Sequence, residues 1–367
     1  MKHLDRDGFH GDMRKLRPRI LAASITLSIG LVSTAIAESS STPQQVLELF
    51  GLDASQLRKL VDNEPARGDE LEQVYRLLHL MPRLEAADIH RWRQTLDVAN
   101  ATSPETRGQV TSLFGRARSC REVRLPEDAA RRYGFDSYYE LEIASAGNDA
   151  SYRVVTREIP NAWVELMRRE VPIDFPCSVD GIFVKRIGIE NEIPELLFVT
   201  DRISWHPDRI QPEIGVHEGK QLLARAGMDI SRFESLDQSR PIGHQDRDCF
   251  YQLMWTMGRM EGAAIDQVAD RKYEIAKFLK DAQGQGGRFY RLQGVARRAV
   301  RVEVEDPDIR QRFGITHYYE LQVFLGLEQT LRLVDPRDND SRSYQTFPVT
   351  VCVRKLPSGM PQGTSIR

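Results

Sequence analysis

The stretch RRYGFDSYYELEI at residues 131–143 recurs 180 positions later as QRFGITHYYELQV at residues 311–323. A second stretch, residues 51–89, falls on residues 227–265 at an offset of 176 without a gap, and 12 of its 39 positions are identical. Ordinary residue frequencies would give about two or three identities by chance. The chain therefore contains two copies of one two-part unit, and we expect the fold to repeat as well.

Each copy begins with a segment whose pattern is helical. Residues 42–45 (Thr-Pro-Gln-Gln) have the form of a capping box with proline at the first helical position. Gly51 suits the left-handed end of that helix, and Asp53 suits the N-cap of the next one. Asp229 takes the place of Asp53 in the second copy. We therefore expect a small helical bundle at the start of each copy.

Each copy continues with a segment whose pattern is that of short strands. In the first copy we expect strands at residues 116–125, 137–144, 151–157, 178–187 and 195–202. Five strands in so short a segment favour a small closed barrel, because closure removes the exposed sheet edges. An OB-type barrel is the first choice and a β-sandwich the second. The chain thus resembles tandem OB-like units, which is a likeness to an architecture rather than to a characterised family.

The expected fold class is α+β, with two tandem units of helical bundle plus barrel. The boundaries are a signal peptide at 1–37, helical domain 1 at 38–107, β-barrel domain 1 at 108–207, helical domain 2 at 208–287 and partial β-barrel domain 2 at 288–367. The second barrel is expected to be incomplete. Residues 157–160 (Arg-Glu-Ile-Pro) correspond to residues 354–357 (Arg-Lys-Leu-Pro), and only the first copy carries almost fifty further residues of the barrel segment. Either the chain is a truncated product, or another chain completes the second barrel.

Residues 14–37 have the pattern of an export signal. A basic start (RKLRPR) is followed by an uncharged, mostly apolar run from Ile20 to Ile36 and by the small-residue site Ala35-Ile36-Ala37. Met13, directly before the basic start, is the expected translation start. The apolar run is short for a spanning helix, so we expect cleavage rather than a retained anchor. The expected location is the periplasm, the cell envelope or the medium, with no stable membrane span after cleavage.

The repeated Tyr-Tyr-Glu-Leu strand supplies the candidate binding residues. Because side chains alternate along a strand, Leu141 and Leu321 should face the core and the Tyr-x-Glu pairs should face outward. The six candidates are Tyr138, Glu140 and Arg118 in the first copy and Tyr318, Glu320 and Arg297 in the second. Aromatic side chains on a barrel face can stack on bases or sugars. The structural alternative is that the glutamates pair with neighbouring arginines, Arg118 with Glu140 and Arg297 with Glu320.

The sequence offers little support for catalysis or metal binding. Cys120, Cys177, Cys249 and Cys352 are far apart and form no CxxC motif, so no zinc site is expected. Cys120 and Cys177 either form a disulfide or are small buried side chains. His217-Glu218 begins like HExxH, but Gln221 stands where the second histidine would be. No catalytic residue, metal or cofactor is therefore predicted.

The expected function is that of a non-catalytic exported protein for binding, scaffolding or assembly. One alternative is a binder of polysaccharide or another polyanion that uses the barrel faces. Another is a hydrolase with a site between the two units. The 51 basic and 53 acidic residues give a net charge of −2, so composition gives no argument for nucleic acid or membrane partners. The expected partners are a polysaccharide or a chain that completes the second barrel.

Overall fold

The computed structural model describes residues 41–95, 103–147, 150–190, 193–236, 240–334 and 341–363. The predicted export signal lies outside the described residues. From Ser41 onward the chain folds as one compact unit that combines helices with a seven-stranded and a three-stranded sheet. The α+β class predicted from the sequence is therefore confirmed. No helix within the described ranges is long and apolar enough to cross a membrane.

The helical and strand segments alternate along the chain. The helices are α1 Pro43–Leu49, α2 Ala54–Arg58, α3 Asp69–Leu80, α4 Ala86–Trp92, α5 Glu127–Tyr133, α6 Asn161–Arg168, α7 Glu218–Arg225, α8 Arg247–Met257, α9 Gly262–Val268, α10 Ile275–Lys280, α11 Ala282–Gln285 and α12 Pro307–Phe313. Short 3-10 helices span Met81–Arg83, Pro104–Thr106, Pro212–Ile214, Ile230–Ser235 and His244–Asp246. The strands are β1 Gln94–Thr95, β2 Val110–Arg124, β3 Ser137–Ser145, β4 Ser151–Glu158, β5 Phe175–Glu190, β6 Ile193–Arg202, β7 Ser204–Trp205, β8 Gly294–Glu303, β9 His317–Val334 and β10 Ser341–Val353.

The predicted helix ends of the two copies are present. Thr42 caps α1, since its hydroxyl accepts from the backbone N–H of Gln45 at 3.3 Å and the Gln45 side chain accepts from the Thr42 N–H at 2.8 Å. Gly51 ends α1 with a φ of 76°. Asp53 accepts from the N–H of Ser55 at 2.8 Å, and Asp229 makes the same bond to Ser231 at 3.1 Å. These local predictions are therefore confirmed.

Five strands of the larger sheet close into a ring. β3 pairs antiparallel with β2 and β4, β4 pairs parallel with β6, and β6 pairs antiparallel with β5. The antiparallel ladder between β5 and β2 closes the ring, from Val110↔Ile182 to Ala117↔Phe175. The short strands β1 and β7 join β2 and β5, and α6 lies between β4 and β5 in the chain. Because every ring strand pairs on both sides, no ring strand is left as an edge.

Two apolar clusters fix the ring against the helices. One side-chain face of the five strands forms a single cluster that also takes in Trp163 of α6 and Trp205 of β7, and its strand members include Leu113, Leu141, Val154, Phe183 and Phe198. The other face packs on helices α1 to α5 through a cluster whose strand members include Tyr138, Val155, Ile182 and Val199. The helical part of the first copy thus covers the outer face of its strands.

The smaller sheet repeats the strand pairing of the ring in the order β10-β9-β8. The β2–β3 ladder of the first copy and the β8–β9 ladder of the second each skip one residue. The skipped residue is Arg118 in β2 and Arg297 in β8. The matching pairs are Ala117↔Ile143 with Ala296↔Val323, and Leu141↔Val154 with Leu321↔Val351. The second set therefore shares the register of the first, down to the position of the bulge.

Among the described residues, the second set comprises three strands, without counterparts of the two strands that close the first. In the part of the chain that is described, β10 pairs only with β9, whereas the matching strand β4 also pairs with β6. On the far side of β8, the described residues form a bridge between Gly363 and Ala299. Pro348 lies within β10 and has no N–H to offer, which is typical of an edge strand.

Candidate functional site

The two tyrosines expected to face outward are buried. Tyr138 is 4% exposed and Tyr318 is 9% exposed. The Tyr138 ring lies 6.1 Å from that of Tyr75 on α3, and the Tyr318 ring lies 5.4 Å from that of Phe250 on α8. Burial raises the pKa of Tyr138 to about 12. Tyr138 does lie on the strand face opposite Leu141, as predicted. The expected exposure of that face was wrong, because helices cover it in each copy and bury both tyrosines. No ligand can stack on these rings.

The predicted pairing of Arg118 with Glu140 is also wrong. Arg118 donates to Asp174 at 2.8 Å. Glu140 instead accepts from Arg121 at 2.8 Å and from Arg153 at 2.6 Å. The register of the ladder is the reason, because it places Arg121 opposite Glu140, whereas Arg118 lies three residues earlier on β2.

The corresponding pair in the second copy does not form either. Glu320 accepts from the Tyr318 hydroxyl at 3.3 Å. Arg297 occupies the bulge of β8, and its guanidinium lies 6.0 Å from the centre of the Phe324 ring. Among the six residues predicted for binding, one lines the cleft described next. It is Arg297, and its side chain is exposed.

A cleft of about 1730 Å³ lies between α7, residues 270–291 and the strands β8 and β9. We call it the basic cleft. Its basic residues are Lys220, Arg271, Lys272, Arg288, Arg291 and Arg297, and its acidic residues are Asp270, Glu274 and Asp281. Six basic against three acidic side chains leave an excess of three positive charges, in a protein whose total charge is close to zero.

Most of these positive charges are not neutralised locally. Arg291 pairs with Asp266 at 2.7 Å. Among the residues that the structure describes, Arg271, Lys272, Arg288 and Arg297 form no ion pair, and all four are exposed. Lys220 is half-buried beside the Phe233 ring, and burial lowers its pKa. The field of the cleft is therefore positive and open to a ligand.

Aromatic rings line the same cleft. Phe278 and Tyr290 meet edge to face with ring centres 4.8 Å apart, and Tyr273 lies 6.3 Å from Phe278. Phe324 lies beneath the Arg297 guanidinium on the opposite wall. Rings beside arginines suit a planar or sugar-like ligand that carries negative charge.

His217 at the edge of the basic cleft has a structural role. Its Nε2–H donates to the carbonyl of Gly286 at 3.1 Å, and its Nδ1 accepts from the backbone N–H of Lys220 at 3.4 Å, which caps α7. Burial lowers the pKa of His217 to about 4, so the ring is neutral at pH 7. The partial HExxH pattern thus marks a helix start in this structure.

A second cleft, of about 1060 Å³, is lined by residues of both copies. We call it the central cleft. Its charged side chains are largely paired: Asp248 binds Arg312 at 2.7 Å and Arg232 at 2.9 Å, and the buried Asp229 lies 3.3 Å from Arg202. The lining holds seven arginines and four aspartates, the same excess of three positive charges as in the basic cleft. The two clefts differ in pairing instead: among the described residues, Arg259 alone of these seven arginines forms no ion pair.

The central cleft also holds a serine and a histidine in contact. The Oγ of Ser178 on β5 lies 2.8 Å from Nε2 of His206, which directly follows β7. Nδ1 of His206 lies 3.0 Å from the carbonyl oxygen of Met228. A carbonyl only accepts, so Nδ1 carries the proton and Nε2 accepts from the Ser178 hydroxyl. Neither residue belongs to a recognisable sequence motif.

The described residues contain no group of three or more His, Cys, Asp or Glu side chains placed to hold a metal ion. All four cysteines are free thiols, so Cys120 and Cys177 are not joined. Cys120 is only half-buried, but Cys177 is buried, as the alternative of small core side chains predicts, and so is Cys249. Burial raises the pKa of the Cys177 and Cys249 thiols to about 12, which leaves them unreactive at neutral pH.

No protein-family model matches the chain, and no curated protein matches it either. One solved structure to which it is similar is a Leishmania major Friedlin protein designated an aspartyl-tRNA synthetase. The two chains are 11% identical with a TM-score of 0.20, and the match covers 65% of this chain. This chain spans about half the length of that protein, 48%. A likeness of this size carries neither fold nor activity over.

Proposed function

We propose that this protein binds a polyanionic ligand, of which an acidic polysaccharide is the expected class, in the basic cleft. The observation that carries the proposal is the set of four exposed cations there, Arg271, Lys272, Arg288 and Arg297, that form no ion pair with any described carboxylate. Holding like charges together without counter-charges costs free energy, which a bound anion would recover.

The wider role we propose is an exported protein for binding, scaffolding or assembly. A polysaccharide is favoured over a nucleic acid because the predicted export signal places the protein outside the cytoplasm. We further propose that the two sets of strands are OB-like barrels, one closed and one partial. The ring order β2-β3-β4-β6-β5 with a parallel β4–β6 pair supports this assignment. A chain that completes the second set by pairing with β10 is the proposed protein partner.

The proposal is tested by measuring the affinity of a fluorescently labelled heparin fragment, a sulfated polysaccharide, by anisotropy. The double variant R271Q/K272Q removes two unpaired charges of the cleft and is expected to weaken binding at least tenfold. The matched control is R67Q/R131Q, which removes two exposed arginines outside the cleft. Equal losses in the two double variants, or no binding by the wild-type protein, would contradict the proposal.

A further inference from the structure

We propose that Ser178 and His206 are the nucleophile and general base of a site in the central cleft that hydrolyses carboxylic esters. The inference goes beyond polyanion binding and is independent of it, since the two clefts share no residue named for either role. It runs against the first sequence-based expectation, a non-catalytic protein, and corresponds to the alternative of a hydrolase whose site lies between the two units. The chemical class of the substrate is an ester whose acyl carbon reaches Ser178 from the cleft.

The geometry of the pair is that of an activated serine. The 2.8 Å between Ser178 Oγ and His206 Nε2 lies within the range in which a base can accept the hydroxyl proton. The Met228 carbonyl fixes the tautomer by accepting from Nδ1–H at 3.0 Å, and so it orients the ring as the third member of a triad does. The base is therefore held with its free lone pair directed at the nucleophile.

The surroundings keep the base ready for use. His206 is largely enclosed, and burial lowers its pKa despite the opposing effect of nearby Asp229. The ring is therefore neutral, and able to accept a proton, at pH 7. Ser178 is half-buried on β5 with its side chain in the wall of the cleft. It is held there because β2 and β7 pair with β5 on both sides.

The candidate donor for the developing negative charge belongs to Arg202, a residue that lines the same cleft. Within the described part of the chain, Nε of Arg202 is buried and has no hydrogen-bond partner. Arg202 ends β6, two residues before Ser204, which pairs directly with Ser178. The other end of its guanidinium is held by Ser231 at 2.8 Å. The unused Nε–H is thus the candidate to stabilise an oxyanion formed next to Ser178.

The reaction balances with water as the only co-reactant. Ser178 Oγ attacks the acyl carbon while its proton passes to His206 Nε2, and collapse of the tetrahedral adduct breaks the bond to the alcohol oxygen. The His206 proton goes to that leaving oxygen, which releases the alcohol and leaves an acyl-Ser178 ester. Water then adds to the acyl carbon with His206 taking its proton, and the acid departs as the proton returns to Ser178. The sum is ester plus water to acid plus alcohol.

The experiment treats the full chain with a fluorophosphonate, which phosphonylates an activated serine as fluoride leaves. Intact mass should show one adduct, and peptide mapping should place it on Ser178. The S178A variant should take up no label, and H206Q should react at least a hundredfold more slowly. S204A, which removes the neighbouring serine of the same wall, should label like the wild type. Hydrolysis of p-nitrophenyl acetate should fall in S178A and H206Q and stay at the wild-type rate in S204A.

Two results would overturn the inference. One is an unlabelled wild-type protein, which needs no variant to fold. The other is a label that maps away from Ser178 or persists in S178A. Thermal unfolding of each variant shows whether a lost label reflects a lost fold. Heparin affinity measured on S178A separates this outcome from that of the binding proposal, since it should be unchanged.

Discussion

At the scale of single residues, a fully buried lysine depends on one ion pair for its stability. The Lys185 side chain is 0% exposed, and its Nζ lies 2.6 Å from Oε2 of Glu70. The same carboxylate accepts from the backbone N–H of Val61 at 2.7 Å. Breaking such a pair from one side leaves an uncompensated charge in the core, which costs far more than losing an exposed pair.

We predict that E70Q lowers the free energy of unfolding by about 3 kcal/mol. The amide keeps the size of the side chain but leaves the Lys185 charge without a counter-charge. Urea denaturation of E70Q and of E64Q, which alters an exposed carboxylate nearby, would show the difference. Similar small effects in both variants would mean that the buried ammonium finds water or another acceptor.

A second residue-scale prediction concerns pH. The pKa of His217 falls from 6.5 to about 4 in the folded chain because of burial. The unfolded chain therefore binds the proton first, so this group destabilises the fold as pH falls from about 6.5 towards 4. We expect urea midpoints at pH 7 and pH 5 to differ less in H217Q than in the wild type. An equal or larger difference in H217Q would show that His217 does not contribute to the loss.

The candidate site shows which residue positions can be predicted from sequence patterns. Alternation in the Tyr-Tyr-Glu-Leu strand correctly placed Leu141 in the core. It failed for Tyr138, because nothing in a period of two says that a helix will cover the second face. The basic cleft was missed since Lys220 and Arg297 are 77 positions apart (297 minus 220) and meet only in the folded chain. The adjacent pair Arg271-Lys272 was the one local signal for it.

At the scale of elements, β2 takes part in two ladders at once around Gly115. Gly115 pairs with Ser145 of β3 and with Cys177 of β5. A Cβ atom at this position would overlap the carbonyl oxygen of Ala144 and lie 2.7 Å from Cγ2 of Ile143. The ring can close here only because residue 115 has no side chain.

We therefore predict that G115A destabilises the fold by about 1–3 kcal/mol through overpacking. The control is G262A at the start of α9, where a Cβ atom would meet nothing within 4 Å. That change should be neutral or stabilising by about 0.4–1 kcal/mol. Thermal unfolding of both variants measures the contrast, and a neutral G115A would mean that β2 and β3 can separate at this point.

The element scale also explains why the strand predictions were uneven. β3 and β4 were placed to within a residue because alternating side chains and turn residues mark their ends. β2 begins at Val110, six residues before the predicted start. In its first half the polar Thr111 is buried and the apolar Phe114 is exposed, so polarity does not follow burial there. A strand in which polarity does not follow burial lacks the alternation on which the prediction depended.

At the scale of the whole molecule, the two copies differ in whether their strands close into a ring. The first closes its ring and covers it with helices, whereas the second leaves one side of β10 unpaired in the described chain and forms one wall of the basic cleft. Helices α4 and α12, which belong to different copies, are in contact. The repeat thus builds one body with two distinct surfaces.

The proposed binding has a consequence for the whole molecule in salt. The Debye length falls from about 10 Å at 0.1 M to about 3 Å at 1 M. Heparin affinity should therefore drop steeply as sodium chloride rises, and the R271Q/K272Q variant should show a weaker salt dependence than the wild type. Anisotropy titrations at several salt concentrations measure both slopes. A salt-independent affinity would point to recognition by the aromatic rings instead.

The sequence by itself determined the internal repeat, the α+β class and the local helix ends, because capping, turn chemistry and periodicity act over a few neighbouring residues. Tertiary structure alone decided which strand faces are covered, where Arg118 and Arg297 point, and which residues meet in the two clefts. Those features depend on contacts between distant segments, such as Ser178 with His206 or Tyr138 with Tyr75. The free energy of packing between such segments depends on both of them, so no single stretch of the chain predicts it.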